Sequence, residues 1–295
     1  MGALAEINAS SAIGAISAGM SLSAAAFLAG AEEAGYDLRH EVQSYYHTVA
    51  PYIDLELADR GDAVLWEWAA TTPPGCRLLE VGAGTGRATA LLARAAARLV
   101  AFDLSPGMLA IARRRLAGLP AVSLLVADVR QLALAERFDL AVAADDPLSH
   151  LILDADRDLA LRAIGRHLLP GGRFILDAAW FSPSRRKRAA SAGGLFFERL
   201  HGRGDEELLV REDWRLEPGG RRLCTARFAY SRHGRPLGEA LFRGRLWSVA
   251  ELVGRCRAAG LEIVSLWGGY DRRPWRRGHS QRLIVEARRR TDWLA

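Results

Sequence analysis

Leu79-Glu80-Val81-Gly82-Ala83-Gly84-Thr85-Gly86-Arg87 decides how the rest of this 295-residue chain is read. The stretch closes a short apolar run, Arg77–Val81, and opens into the Ala- and Leu-rich residues 88–97. That pattern predicts a strand, a glycine turn and a helix. Glycines at such a turn let the backbone approach a ligand closely and expose amide donors to it. The dinucleotide fingerprint G-x-G-x-x-G wants its third glycine three residues after the second. Here the spacing is G-x-G-x-G and Arg87 stands at the third-glycine position, so a nicotinamide-dependent oxidoreductase is disfavoured.

Strand and helix signals alternate beyond the turn. Leu99–Phe102 reads as a strand ending at Asp103, and Ser105-Pro106 as a serine cap with proline at the first helical position. Val122–Val126 leads to Asp128, and Phe138–Ala143 leads to Asp145-Asp146. A helix is expected over 154–168, a turn at Pro170-Gly171-Gly172, and a strand over Arg173–Leu176 ending at Asp177. This alternation predicts an α/β fold with a doubly wound, mostly parallel sheet. The pattern breaks near residue 180. Residues 182–194 read as a basic link, and candidate strands at 195–201, 206–216, 222–231 and 236–246 follow without helices between them. These predict an antiparallel insertion over 181–246. A helix over Val249–Ala259, capped by Gly260, and strands at 261–267 and 281–287 then complete seven strands of the main sheet. The expected division is an N-terminal helical arm or lid (1–40), an α/β core (41–180 and 247–295) and the insertion as a cap.

Four motifs in register carry a family resemblance. The 79–87 stretch is similar to the first motif of the class I S-adenosylmethionine-dependent methyltransferases. Phe102-Asp103-Leu104-Ser105-Pro106-Gly107-Met108-Leu109 resembles the second, and Val126-Ala127-Asp128-Val129-Arg130 the third. Leu169-Pro170-Gly171-Gly172-Arg173-Phe174 resembles the turn before the fifth strand. The segment Asp146-Pro147-Leu148-Ser149-His150-Leu151 resembles the Asn-x-x-x-His-Leu stretch of the glycine/sarcosine and sugar N-methyltransferase branch, with Asp146 where asparagine is common. Tyr45-Tyr46-His47 with Tyr52 and Asp54-Leu55-Glu56, and Gly268-Gly269-Tyr270-Asp271 followed by Ser280-Gln281-Arg282-Leu283-Ile284, resemble the same branch.

The resemblance implies S-adenosylmethionine as cofactor and S-adenosylhomocysteine as product. It implies a cofactor site made of Glu80, Gly82, Ala83, Gly84, Gly86, Asp103, Leu104, Met108, Asp128, Val129, Ala144 and Asp145. Asp103 can accept from both ribose hydroxyls and Asp128 from the adenine amino group. The Val129 amide can donate to a ring nitrogen, Leu104 and Met108 offer apolar cover, and Glu80 orients the loop or meets the cofactor's ammonium. His150 is the expected base or substrate orienter and Tyr46 the expected lining of the sulfonium; no metal is expected. The implied reaction is methyl transfer to nitrogen or oxygen of a small molecule in bacterial secondary metabolism. Two alternatives stand beside it. One is non-methylating chemistry on the same fold. The other is a magnesium-dependent O-methyltransferase using Asp145, Asp146 and Asp177, although two alanines follow Asp177 where that family has an acid-amide pair.

Composition bounds the partners. Half the residues are hydrophobic and a quarter charged, an ordinary globular balance. Three cysteines without C-x-x-C spacing disfavour a disulfide framework or zinc ribbon and fit a reducing cytoplasm. Residues 1–180 carry 15 Lys+Arg against 21 Asp+Glu, and 181–295 carry 25 against 13. The basic residues scatter rather than line a face with aromatic platforms, so nucleic acid is not an expected partner. Arg185-Arg186-Lys187-Arg188 and Arg272, Arg273, Arg276 and Arg277 could instead meet an anionic acceptor. The uncharged stretch 7–31 lacks the basic start of a signal peptide and the apolar strength of a membrane span. Ile13, Ile16, Met20 and Phe27 recur at helical spacing there, which suits an arm over the active-site mouth or against a second subunit of a homodimer.

Overall fold

Arg77–Val81 forms an interior strand of a seven-stranded sheet in the computed structural model, which describes residues 37–58, 60–71, 75–219 and 222–292. In chain order the elements are α1 (Leu38–Val49), α2 (Ile53–Leu57), α3 (Ala63–Ala70), β1 (Arg77–Val81), α4 (Arg87–Leu92), β2 (Arg98–Asp103), α5 (Pro106–Arg115), β3 (Val122–Val126), β4 (Phe138–Ala143), α6 (Asp154–His167) and β5 (Leu168–Ala178). There follow α7 (Pro183–Ala189), β6 (Leu195–His201), β7 (Leu208–Leu216), β8 (Leu223–Arg232), β9 (Arg235–Arg245), α8 (Val249–Ala258), β10 (Leu261–Trp267) and β11 (Leu283–Arg289). The chain divides into Met1–Leu38 and Arg39–Ala295, and the account below concerns the second unit. The expected helix within 7–31 lies outside the described residues.

The sheet runs β10-β11-β5-β4-β1-β2-β3, with β11 antiparallel to both its neighbours and the other pairs parallel. Leu78, Leu79 and Val81 on β1 and Leu140, Ala141, Val142 and Ala143 on β4 are buried on both faces. Continuous apolar runs are what a parallel strand covered on both sides requires. The order reverses between β1 and β4, the place where open α/β sheets bind ligands. Because β1 to β5 are parallel, Glu80, Asp103, Asp128, Asp145 and Asp177 all arrive at one edge.

The doubly wound fold is as the sequence predicts, with three local differences. Helix α4 ends at Leu92 rather than running to 97. The Pro170-Gly171-Gly172 turn lies inside β5, where partners of β4 jump from Leu168 to Arg173. The basic link over 182–194 contains α7, whose Ser182 side chain accepts from the Arg185 amide with Pro183 in the first turn. Ser105 and Pro106 start α5 by the same device.

The second sheet is antiparallel, in the order β6-β7-β8-β9. His233 and Gly234, both at positive φ, close the β8–β9 hairpin in two residues. Its inner face presents Val210, Ala226, Phe228, Tyr230, Ala240 and Phe242, and α1 and α2 pack on it through Tyr45, Tyr46, Val49, Ile53 and Leu55. No helix of the described residues is long and apolar enough to cross a membrane.

Arg157 joins the two sheets. It is fully buried, donates to the carbonyls of Leu151 (2.8 Å) and Arg245, pairs with Glu251 at 3.4 Å, and stacks on Trp247 at 3.7 Å. Trp247 in turn donates from Nε1 to Asp146 at 2.8 Å and from its backbone to Ala179 at 2.9 Å. Removing a buried, fully engaged guanidinium leaves its partners unsatisfied. Arg157→Met should therefore lower the unfolding free energy by about 3 kcal/mol in chemical denaturation, far more than substitution of an exposed arginine such as Arg186.

Candidate active site

The glycine turn is held by its neighbours rather than by itself. Gly82, Gly84 and Gly86 all adopt positive φ. The amides of Gly82 and Ala83 both donate to the Phe102 carbonyl at 2.9 Å, which fastens the end of β1 to β2. A Cβ on Gly82 would lie 2.4 Å from that of Pro147, so glycine is required where the loop after β4 crosses. Asp103 accepts from the Gly84 amide at 2.9 Å and from the Ser105 amide at 2.8 Å. One carboxylate thus ties the turn to the cap of α5. Burial pushes the Asp103 acid up, opposed by its bonds to the amides of Ser105, Gly84 and Leu104. Met108 and Leu104 lie on this same rim, with Met108 Cε 3.5 Å from where a Gly84 Cβ would be.

Two contacts latch the preceding helices onto the turn. Arg87, where the dinucleotide pattern wants glycine, makes a two-pronged pair with Asp62 at 2.8 and 2.6 Å. Asp54 on α2 accepts from the Thr85 hydroxyl (2.6 Å) and from Arg115 (2.6 Å). Beneath the turn, Glu80 is fully buried and neither carboxylate oxygen has a hydrogen-bond partner. Burial raises its acid to about 8, with nearby Asp103 adding to the shift and Thr89 and Arg87 opposing it.

Asp128 has a partner that the sequence reading did not give it. Arg130 grips it through Nε and Nη2, the latter at 2.6 Å, and reaches Asp156 at 3.0 Å. Burial works against ionisation, but Arg130 holds the Asp128 acid below its ordinary value. An adenine amino group would share this carboxylate with Arg130. Val129 begins the short turn that follows.

Past β4, Asp145 and Asp146 both take left-handed φ, 57° and 44°. Side chains rarely accept that conformation, and two in succession mark a constrained site. Arg60, from the loop between α2 and α3, binds Asp145 at 2.5 Å and Asp177 at 3.0 Å, and its Nε donates to the Tyr270 hydroxyl at 2.6 Å. Tyr270 also donates to Asp177 at 2.8 Å. Two of the three carboxylates that a magnesium reading would enlist, Asp145 and Asp177, are thus already held by Arg60. Asp146 is buried, accepts from the Ala179 amide (2.6 Å) and from Trp247, and is raised by burial to about 7. Ala144 is half-buried beside this corner.

The Tyr46 hydroxyl lies 3.1 Å from His150 Nε2. Phe242 and Tyr45 close around the imidazole at ring distances of 5.0 and 6.0 Å. Burial lowers His150 to about 4, so the ring is neutral at physiological pH, and raises the Tyr46 hydroxyl well above its ordinary value. Nearby, a cavity of about 270 Å³ is lined by Asp145, Phe181, Arg185, Trp214, Phe242 and Arg282 among others. Of the basic clusters singled out in the sequence, only Arg185 faces this cavity. Arg186, Lys187 and Arg188 are exposed on α7, and Arg272 lies over the Trp68 ring. Arg60 was missed by sequence reasoning, and Arg130 and Arg282 entered it only as members of motifs, without a role of their own.

A family profile described as "Methyltransferase domain" matches residues 78–172. Those residues are similar to a methyltransferase domain. The chain is 33% identical, over 122 residues, to the dTDP-3-amino-3,6-dideoxy-alpha-D-glucopyranose N,N-dimethyltransferase of Streptomyces fradiae; the match spans 41% of this chain and 47% of that one. It spans, therefore, about half the length of that relative. It is 27% identical over 227 residues to the cypemycin N-terminal methyltransferase of a Streptomyces species, covering 76% and 88%. The CcbJ methyltransferase of Streptomyces caelestis shares the fold, with a TM-score of 0.70 at 21% identity and coverage of 86% and 100%.

The buried Glu80 has a measurable signature. Its acid is higher in the folded than in the unfolded chain, so its contribution to stability is full below the ordinary carboxylate value and is lost as pH rises through about 8. Relative to Glu80→Gln, the wild type should lose on the order of a few kcal/mol across that interval, read by denaturation at successive pH values.

Proposed function

We propose that this chain transfers a methyl group from S-adenosylmethionine to an amino nitrogen of a small molecule in bacterial secondary metabolism. The observation that carries the reading is a single juxtaposition. The glycine turn, pinned by Asp103, shares its strand-end edge with the Asp145–Asp146 corner, and the buried Tyr46–His150 pair follows that corner beside an aromatic cavity.

The residues present fit the cofactor. Glu80 is a buried acid with two unsatisfied oxygens at the end of β1, which suits an ammonium, directly or through water. Asp103 keeps accepting capacity for ribose hydroxyls beyond its backbone bonds. Gly82, Ala83, Gly84 and Gly86 give the backbone approach, Leu104 and Met108 the apolar cover, and Asp128 with Val129 the adenine edge. Ala144 and Asp145 border the methionine end. When bound, the cofactor supplies a methyl carbon already activated by sulfonium, so the protein's task is alignment and exclusion of water.

Tyr46 and His150 divide that task. A ring that holds its proton only near pH 4 cannot take one from an ammonium at neutral pH. His150 is therefore an orienter, accepting or donating one hydrogen bond, with Tyr46 fixing its tautomer. The antiparallel sheet over 181–246 roofs the acceptor and the α/β core holds the cofactor. Arg185, which faces the cavity and lies 5.6 Å from the Phe197 ring centre, meets an anionic part of the acceptor. The relatives named for amino sugars and for a peptide terminus support nitrogen as the atom methylated.

Calorimetric titration with S-adenosylhomocysteine tests the cofactor site: saturable one-to-one binding is expected, weakened about tenfold or more in Asp103→Ala, with no response to NAD. The same protein should then methylate members of a panel of dTDP-amino sugars and peptides with free N-termini. Binding of NAD instead, or methylation of none of the panel's amines while matched alcohols react, would sink the reading. His150→Gln should lower kcat about 10- to 100-fold with S-adenosylhomocysteine affinity unchanged, and the wild-type rate profile should show no limb near the ordinary histidine value.

A further inference from the structure

Methylation at nitrogen poses a proton problem, and the inference here rests on that reading. An aliphatic amine arrives at neutral pH as an ammonium without a lone pair, and a neutral, buried His150 does not relieve it of a proton. The group that can lies on α2. Asp54 latches that helix onto the glycine turn, and Glu56, two residues on and so roughly 200° around the helix, interacts instead with Tyr230, Glu212 and Arg199 of the second sheet.

There Glu56 meets surroundings that a structural carboxylate would avoid. Its Oε1 is buried with no hydrogen-bond partner. Beside it is Tyr230, only 2% exposed, whose hydroxyl interacts with this carboxylate. Glu212 projects into the same space from an inward position of β7, between Val210 and Trp214, and is 8% exposed. Its carboxylate accepts from Trp214 Nε1 at 2.7 Å and from Arg199. Tyr52 stacks on Tyr230 at 4.7 Å, while Tyr45 contacts Phe228, Phe242, Tyr46 and His150 at 5.0 to 6.0 Å. Tyr45 thus borders both Glu56 and the Tyr46–His150 pair. Two carboxylates in such a space are costly, and Arg199 pairs with Glu212 alone. A cation among the rings would offset that cost twice, by charge and by its attraction to ring faces.

We propose that Glu56, backed by Glu212 and walled by Tyr45, Tyr52 and Tyr230, receives the amino group of the acceptor as its ammonium and takes the proton from it. One N–H bond breaks, its electron pair stays on nitrogen as the lone pair, and a new O–H bond forms on Glu56. The surroundings tune the carboxylate for this. Burial raises it to about 7, Tyr230 on β8 and Arg199 on β6 lower it, and Glu212 on β7 and Asp145 beyond β4 raise it. Tyr45 on α1 faces it as well.

The test uses the full chain saturated with S-adenosylhomocysteine and matched probes, benzylamine against benzyl alcohol and cyclohexylamine against cyclohexanol, followed by ligand-observed NMR titration. The amines should bind more tightly than the alcohols, and their affinity should rise as pH passes through about 7. Glu56→Gln should weaken amine binding about tenfold and abolish the rise, leaving the alcohols unaffected. Glu56→Asp should restore part of it, and Glu212→Gln, which leaves Glu56 in place, should give a smaller loss should Glu56→Gln not fold. Alcohols binding as well as amines, an amine affinity indifferent to Glu56→Gln, or no amine binding at all would overturn the assignment. S-adenosylhomocysteine affinity is read in the same samples: retained affinity with an indifferent Glu56 sinks this inference alone, whereas no affinity in the wild type sinks the methyltransferase reading itself.

Discussion

Parallel strands deliver their carboxyl ends to one edge, and in this chain those ends carry acids. Glu80, Asp103, Asp128, Asp145, Asp146 and Asp177 all lie along it, five of them nine-tenths buried or more. Like charges at that density cannot all stay ionised without compensation. Much of the remaining architecture answers this constraint. Backbone amides serve Asp103, Arg130 serves Asp128, Arg60 serves Asp145 and Asp177 together, and the Ala179 amide with Trp247 serves Asp146. Glu80 is left unserved, and it is the one whose position under the glycine turn suits a cationic ligand group.

The answers come from far along the chain, which is why the two sheets hold together as one site. Arg60 reaches the edge from before β1, Trp247 from the end of the second sheet, and Arg157 fastens that end by stacking on Trp247. The same tethers place α2 between the glycine turn and the second sheet, with Asp54 bonded to Thr85 and Glu56 interacting with Tyr230 and Glu212. The glycine turn and the second sheet are thus coupled through a five-residue helix.

How much of this was legible follows from the range of each interaction. The glycine turn, the Ser105-Pro106 start and the strand ends are set by neighbours in sequence, and their reading holds to within a residue or two. Ser182-Pro183 carried the same signal as Ser105-Pro106 and was overshadowed by the basic run after it. Arg60 and Arg157 carried no local signal, because their partners lie on other elements. Glu212 did carry one. In Leu208-x-Val210-x-Glu212-x-Trp214-x-Leu216 the alternation puts an acid where the inner face wants an apolar side chain. A violated period of that kind is the sequence trace of a site, since a fold that bears the cost of a buried acid gains something elsewhere.

The placement of acids and bases then separates two roles that a sequence motif merges. A histidine after the fourth strand invites the role of base, yet the rings that enclose His150 strip it of water and leave it neutral. The same kind of burial acts oppositely on a carboxylate, lifting Glu56 toward neutrality while keeping it able to lose its proton there. Desolvation by one aromatic enclosure thus disables the imidazole as a proton acceptor and equips the carboxylate as one. The division of labour between orienting and accepting a proton arises from the enclosure itself, before any ligand enters it.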